Sequence, residues 1–236
     1  ALVDLPPLRS FHDLDEADRG LLMALLGGQT GDGHGEDGAP GAAGFKAPDL
    51  LIQVVDATAL EGSLALAQEL CQLGKPLVIA LNRLDEARDK GIFINVAALS
   101  AALGVPVVPT VAHMGKGIAA VFETALGLLH AGSCPLPQPP GAHLRRALAP
   151  LSALLDAPEV AAAFRVPRAL LLTQLARADT WLAAELAARF PTVAAALDAA
   201  RSEAARVLPR PLADELFADR HFRAAQLHEQ VTCLGH

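Results

Sequence analysis

Three short apolar runs, Leu50–Val55, Leu77–Asn82 and Val105–Thr110, alternate along the first half of the chain with helical periodicity at Leu60–Leu73, Asn95–Leu103 and Lys116–His130. Runs of this length, with turn signals at their ends and about a dozen helical residues between them, describe parallel strands joined by crossover helices. The expected architecture is an α/β domain, a parallel sheet with flanking helices. Ala1–Leu5 reads as a further strand. Asp13-Leu-Asp-Glu16 has the spacing of a capping box, which predicts a helix over Leu14–Leu26. Gly27–Gly44 follows, with eight glycines in eighteen residues and almost no large apolar side chain. Such a stretch cannot offset its ordering entropy and is expected to be a mobile loop.

The second half carries a different pattern. Prolines at 135, 137, 139 and 140 fall within Ala131–Gly141, a composition that stops helices and favours an extended spacer. Residues 1–130 are therefore read as the α/β domain, 131–141 as a Pro-rich linker and 142–236 as an all-helical domain. Pro167 and Pro191 stand where proline opens a helix, Asp179 or Thr180 can cap Trp181–Arg189, and Pro209 and Pro211 precede Leu212–Val231. A bundle of four or five helices without strands is expected. Charge divides at the same place: residues 1–139 carry 8 basic and 16 acidic side chains, 140–236 carry 11 and 10.

Composition removes several classes of function. A hydrophobic fraction of 52% excludes a disordered chain, and an aromatic fraction of 4% makes the core aliphatic. A net charge of −7 argues against a nucleic-acid binder, which needs a basic face to displace counterions. Three scattered cysteines point to a reducing compartment. No apolar run reaches the roughly 18–20 residues that span a bilayer, and no signal peptide opens the chain, so a soluble segment is expected. It opens in what reads as the middle of a strand, so a fragment of a longer protein is expected.

Asn82-Arg83-Leu84-Asp85 stands at the carboxyl end of the second interior run, where open α/β sheets place ligands. A carboxylate there can accept from both N1–H and the exocyclic amine of guanine, a donor pair that adenine lacks. Alone, the tetrapeptide is better explained as a helix-capping turn. Three further segments support the guanine reading. Asp4 ends the first run and is suited to hold a water on Mg²⁺. Val54-Val55-Asp56-Ala57 ends the next. Val111-Ala112-His113-Met114 begins a loop before a helix, where backbone N–H groups can meet the guanine carbonyl.

With these segments in order, residues 50–118 resemble the GTPase domain of the B-type ferrous iron transporters, FeoB. V-V-D-A, the L-x-x-G-x-P-x-x-x-A-L-N-x-x-D segment, the L-S-x-x-L-G-x-P-V-x-P segment and G-x-G-I all occur at family spacing. Residues 140–236 more loosely resemble the family's helical domain, through Arg165-Val-Pro-Arg168 and Ala218-Asp-Arg-His-Phe222. The resemblance implies a P-loop-GTPase-like sheet followed by a helical bundle, on the cytoplasmic side of a bacterial inner membrane. It further implies binding of GTP or GDP with Mg²⁺, and a helical domain that couples nucleotide state to the membrane part of the same polypeptide. A homo-oligomer is possible in such a family and a nucleic-acid partner is not expected. Asn82, Arg83, Asp85, Val111, Ala112, His113 and Met114 would meet guanine, and Asp4 and Pro7 would form the phosphate and Mg²⁺ switch.

The chain also departs from the family pattern. No G-x-x-x-x-G-K-S/T occurs in it, and the family's D-L-P-G stands here as Asp4-Leu5-Pro6-Pro7, where Pro7 has no N–H to give a γ-phosphate. Nucleotide and Mg²⁺ are thus expected only if a phosphate-binding segment is supplied, and the chain by itself should hydrolyse GTP little or not at all. The alternative is a nucleotide-independent interaction module on the same fold. His228, Cys233 and His236 form a weaker metal candidate against a frayed terminus, and His34 lies in the acidic Gly-rich loop. Cys71 and Trp181 read as core residues.

Overall fold

In the computed structural model, residues 2–5, 8, 10–12, 16–26, 47–164 and 166–235 are described. The elements in chain order are α1 (Glu16–Leu26), β1 (Leu51–Asp56), α2 (Leu60–Leu70), β2 (Leu77–Asn82), α3 (Leu84–Asp89), β3 (Ile92–Ile94), α4 (Val96–Leu103), β4 (Val107–Pro109) and α5 (Ile118–Ala131). They continue with α6 (Ala142–Leu155), α7 (Pro158–Ala163), α8 (Arg168–Ala176), α9 (Thr180–Arg189), α10 (Pro191–Val207), α11 (Leu212–Val231) and β5 (Thr232–Leu234).

β1, β2 and β4 form a parallel sheet in that order, with Asp56 in register with Asn82 and Leu81 with Pro109. The α/β expectation is met, and three strand ends that carry polar residues lie side by side. β2 is buried from Leu77 to Leu81, as a central parallel strand covered on both faces must be. On one face Val78 and Ala80 pack against Val121 and Ala125 of α5, with Ile52 and Val108 beside them. Gln53, on the opposite face of β1, reaches α2 and donates to the Ser63 carbonyl at 3.0 Å. Cys71, just after α2, is almost wholly buried, and burial pushes its thiol up to about 11.

Several expectations fail in informative places. Residues 2–5 form no strand, and Leu2 and Val3 are exposed. Among the described residues β1 pairs only with β2, so this apolar run has no ladder to join, and a lone extended segment leaves its backbone groups to water. The chain is instead anchored a few residues later, where Ser10 Oγ and the Phe11 amide donate to the buried Glu69 carboxylate at 2.9 and 2.7 Å. The helix expected from Leu14 is described from Glu16, and Gly27–Gly44 lies outside the described residues, as does His34.

Among the described residues the second half holds six helices rather than four or five, and it does contain a strand. Thr232–Leu234 pairs antiparallel with Ile92–Ile94, with Cys233 opposite Phe93. Thr232–Leu234 is therefore a paired edge, where a frayed terminus was expected, while His236 lies outside the described residues. The proline and cap signals fall where read: Pro167 precedes α8, the Asp179 carboxylate accepts from the Trp181 and Leu182 amides, Pro191 opens α10, and α11 spans Leu212–Val231. No described helix is long and apolar enough to cross a membrane.

By packing, the chain divides into two units that are discontinuous in sequence. One comprises Ala1–Phe11, Ala47–Gln138 and His221–His236; the other comprises His12–Lys46 and Pro139–Arg220. This division differs from a single cut in 131–141 at two points: α1 joins the helical unit and the end of α11 joins the α/β unit. In the helical unit Leu144, Leu148, Leu151, Leu212 and Leu216 build one core cluster. α1 is held there by Arg19, whose guanidinium meets Asp179 at 3.4 Å, while its Leu22 and Leu26 line a small cavity with Val166, Leu170 and Trp181.

Residues 139–236 produced alone should accordingly be helical, since their core cluster needs nothing from α1, but should melt below the whole chain because Leu22 and Leu25 are lost. Circular dichroism with a thermal melt checks this, and a coil spectrum would contradict it.

Candidate functional site

The ends of β2 and β4 are joined through one side chain. Asn82 ends β2, and its carboxamide oxygen accepts from the Ala112 amide at 2.9 Å and from the Thr110 hydroxyl at 3.3 Å. It thereby fixes the loop that follows β4 to the central strand. Inside that loop Val111 and Lys116 form an antiparallel bridge around a single tight turn at Ala112–Met114. Gly117, with φ 81, makes the exit possible, because a β-carbon there would stand 2.3 Å from the Pro109 carbonyl oxygen.

The loop spends most of its N–H groups on itself. Val111 N–H donates to the Lys116 carbonyl, Ala112 N–H to Asn82, and Met114 N–H to the Val111 carbonyl. Of the four amides expected to meet a guanine carbonyl, His113 is the one with no acceptor among the described residues. The loop side chains at 112–114 are exposed.

Asp85 lies in the first turn of α3, directly after β2. Its Oδ2 stands 3.7 Å from His113 Nε2, which brings the helix and the loop to one place. Its Oδ1 is buried and has no hydrogen-bond partner. A carboxylate oxygen shielded from water with no donor is costly in an isolated protein and is satisfied by a ligand that brings one.

Between Asn82 and Asp85, Arg83 adopts φ 65, one of two non-glycine residues with positive φ among those described. Its guanidinium is held by two carboxylates. Nε donates to Glu86 Oε1 at 2.8 Å, Nη2 to Glu86 Oε2, and Nη1 to Asp56 Oδ2 at 2.6 Å. Asp56 also accepts from the Thr58 amide and hydroxyl, both at 2.8 Å. Burial pushes the Asp56 carboxyl up, but the bonds from Thr58 and Arg83 outweigh it and leave it below its ordinary value. The bond from Arg83 lowers Glu86, and the bonds to Glu86 and Asp56 raise Arg83 itself. Sequence reading missed this triad because Asp56 and Glu86 are ordinary strand-end and helix residues until the fold joins them.

The remaining expected residues are not brought together. Asp4 is exposed and lies outside any strand, and Pro7 is outside the described residues. The described residues include no group of three His, Cys, Asp or Glu side chains placed to hold a metal ion. Cys233 Sγ stands 3.8 Å from the Phe93 carbonyl oxygen, and His236 is outside the described residues.

Comparison with known proteins bears on the same region. Residues 42–125 match the family described as Ferrous iron transport protein B. Over 81 residues the chain is 46% identical to the Fe(2+) transport protein A/Fe(2+) transporter FeoB fusion protein of Porphyromonas gingivalis, covering 34% of this chain and 10% of that protein. It is 52% identical over 73 residues to the Fe(2+) transporter FeoB of Escherichia coli, covering 31% and 9%. The chain thus spans about a tenth of the length of the curated relatives it matches. The crystal structure of a GDP-bound NFeoB mutant from S. thermophilus is similar in fold, with TM-score 0.78 at 24% identity, over 98% of this chain and 80% of that one.

Because Asp56 and Glu86 titrate lower in the folded chain than in an unfolded one, their bridge to Arg83 stabilises the fold above the ordinary carboxylate range and is lost as pH falls through the folded values. The stability advantage of the natural chain over Arg83→Met should be largest near neutral pH and shrink below about pH 4, read from urea midpoints. A difference independent of pH would remove the ion pairs as its source.

Residues 42–125 thus match the ferrous iron transport protein B family, and the fold is shared along nearly the whole chain with the S. thermophilus NFeoB structure.

Proposed function

We propose that the α/β unit is the base-recognising part of a guanine-nucleotide-binding module in a ferrous iron transport protein. The observation that carries this reading is the buried, unpartnered Asp85 Oδ1 beside a loop whose His113 amide has no acceptor among the described residues. Guanine presents N1–H and an exocyclic amine on the same edge as its carbonyl oxygen, so a carboxylate and one backbone N–H are the minimal complement. Adenine offers neither the donor pair nor the carbonyl. Asn82 holds the loop at the required place, and Val111, Ala112 and Met114 shape it.

The GDP-bound S. thermophilus relative supports a guanine nucleotide as the ligand. Phosphate binding is a separate matter. The 236 residues contain no G-x-x-x-x-G-K-S/T, so the cradle of backbone amides that supplies most of the affinity in P-loop proteins would have to come from another segment. Asp4 is the residue proposed to address Mg²⁺, and Pro7 would withhold the N–H that reports a γ-phosphate. With Asp4 exposed and alone, no hydrolytic step follows from these residues. In the intact protein, nucleotide state would pass through the helical unit to a membrane part of the same polypeptide, on the cytoplasmic face of the membrane.

NMR titrations of the chain with GDP, ADP and xanthosine diphosphate test the reading. GDP should be preferred, at an affinity weaker than about 1 μM. Asp85→Asn should weaken GDP by about ten- to a hundredfold, the cost of about 1–3 kcal/mol for a buried mismatch, and shift preference toward the xanthine nucleotide, whose C2 oxygen suits an amide donor. An unchanged preference would remove Asp85 from the site. No response to any nucleotide would favour a nucleotide-independent interaction module.

A further inference from the structure

We propose that Arg83 is a positioning residue whose forked side chain, closed on Asp56 and Glu86, holds the turn between β2 and α3 in the conformation that presents Asp85 to the base. Resting on the guanine reading above, this gives Arg83 a different part from the base-lining one that its place between Asn82 and Asp85 implies.

The backbone states the problem. A residue with a β-carbon seldom adopts φ 65, and glycine is the usual solution where a chain must turn this way. Here the turn carries the chain from the last residue of β2 straight into α3, whose second residue is Asp85. A relaxation at residue 83 would rotate the first turn of α3 against the loop that Asn82 holds, and Asp85 would lose its relation to the His113 amide.

The side chain supplies what the backbone lacks. One edge of the guanidinium grips Glu86 with two parallel bonds, Nε to Oε1 at 2.8 Å and Nη2 to Oε2, and Nη1 donates to Asp56 Oδ2 at 2.6 Å. Glu86 is the neighbour of Asp85 on α3, while Asp56 is in register with Asn82 on the adjoining strand. The turn is thus triangulated from both sides, by the helix that bears the base reader and by the strand end next to it. Asp56 is itself held by the Thr58 amide and hydroxyl, so the anchor is fixed. Asp85 has no comparable tether: Oδ1 has no partner and Oδ2 only His113 at 3.7 Å, so its direction is inherited from the backbone. Only a planar fork with several donors meets this geometry, which a lysine ammonium cannot reproduce.

Titration of the full chain with guanosine monophosphate and adenosine monophosphate, followed on the backbone amides of 82–85 and 111–117, tests this. The natural chain should prefer the guanine nucleotide. Arg83→Met should reduce that preference by about fivefold or more, the scale of losing charge-assisted bonds that orient a reader. Arg83→Lys should recover little, whereas Arg83→Gly should recover more than Arg83→Lys, because glycine takes a positive φ without a tether. A merely structural role would lower the melting temperature and leave the guanine-to-adenine ratio unmoved. Asp56→Asn and Glu86→Gln, each of which weakens one arm, should lower the ratio in the same direction and serve if Arg83→Met does not fold. A wild-type ratio in Arg83→Met or in both arm variants overturns the proposal. Absence of any preference in the natural chain overturns instead the guanine reading.

Discussion

The Asn82 carboxamide is the joint on which the arrangement depends. A parallel sheet brings the carboxyl ends of its strands to one edge, but it does not by itself fix the loops that leave them. Here the central strand ends in a side chain whose oxygen takes the Ala112 amide and the Thr110 hydroxyl, so the loop after β4 is set relative to β2 and not merely near it. Gly117 lets the loop close tightly against Pro109, and the bridge between Val111 and Lys116 keeps it rigid. With the loop fixed, the His113 amide has no acceptor among the described residues and Asp85 Oδ1 is buried without a partner. In the proposed reading these are the two groups that guanine would meet.

Much of this was legible before any coordinates. The alternation of apolar runs with helical stretches places β1, β2 and β4 within a residue or two, since buried parallel strands read as short continuous apolar runs between turns. Asn82 and Asp85 are legible as a pair only in company with the segments that precede and follow them, since alone the tetrapeptide reads as a helix-capping turn. What the loop would do was only partly legible. Four amides were equivalent as sequence, and only the internal bonds of the turn distinguish His113 from Val111, Ala112 and Met114.

The failures share a cause, which is dependence on a distant partner. Ala1–Leu5 has the composition of a strand, yet residues 2–5 have no neighbour to pair with among those described. Thr232–Leu234 has almost no strand signal and is a strand because Ile92–Ile94 offers it an edge. α1 follows residues of the α/β unit in sequence, but Arg19, Leu22 and Leu26 find Asp179, Val166 and Leu170 in the other unit. Local pattern records the apolar face of a helix without saying which core it will enter. Arg83 is the same case at the scale of one side chain, since its partner Asp56 is visible only once β1 and β2 lie in register.

The central claim, that Asp85 and the His113 amide together read guanine, is tested most directly by a crystal structure of the chain with GDP. The account predicts N1 and the exocyclic nitrogen of guanine on the Asp85 carboxylate and the guanine carbonyl oxygen on the His113 amide, each within hydrogen-bonding distance of about 3 Å. A base bound elsewhere, or one that leaves Asp85 Oδ1 without a donor, would contradict it.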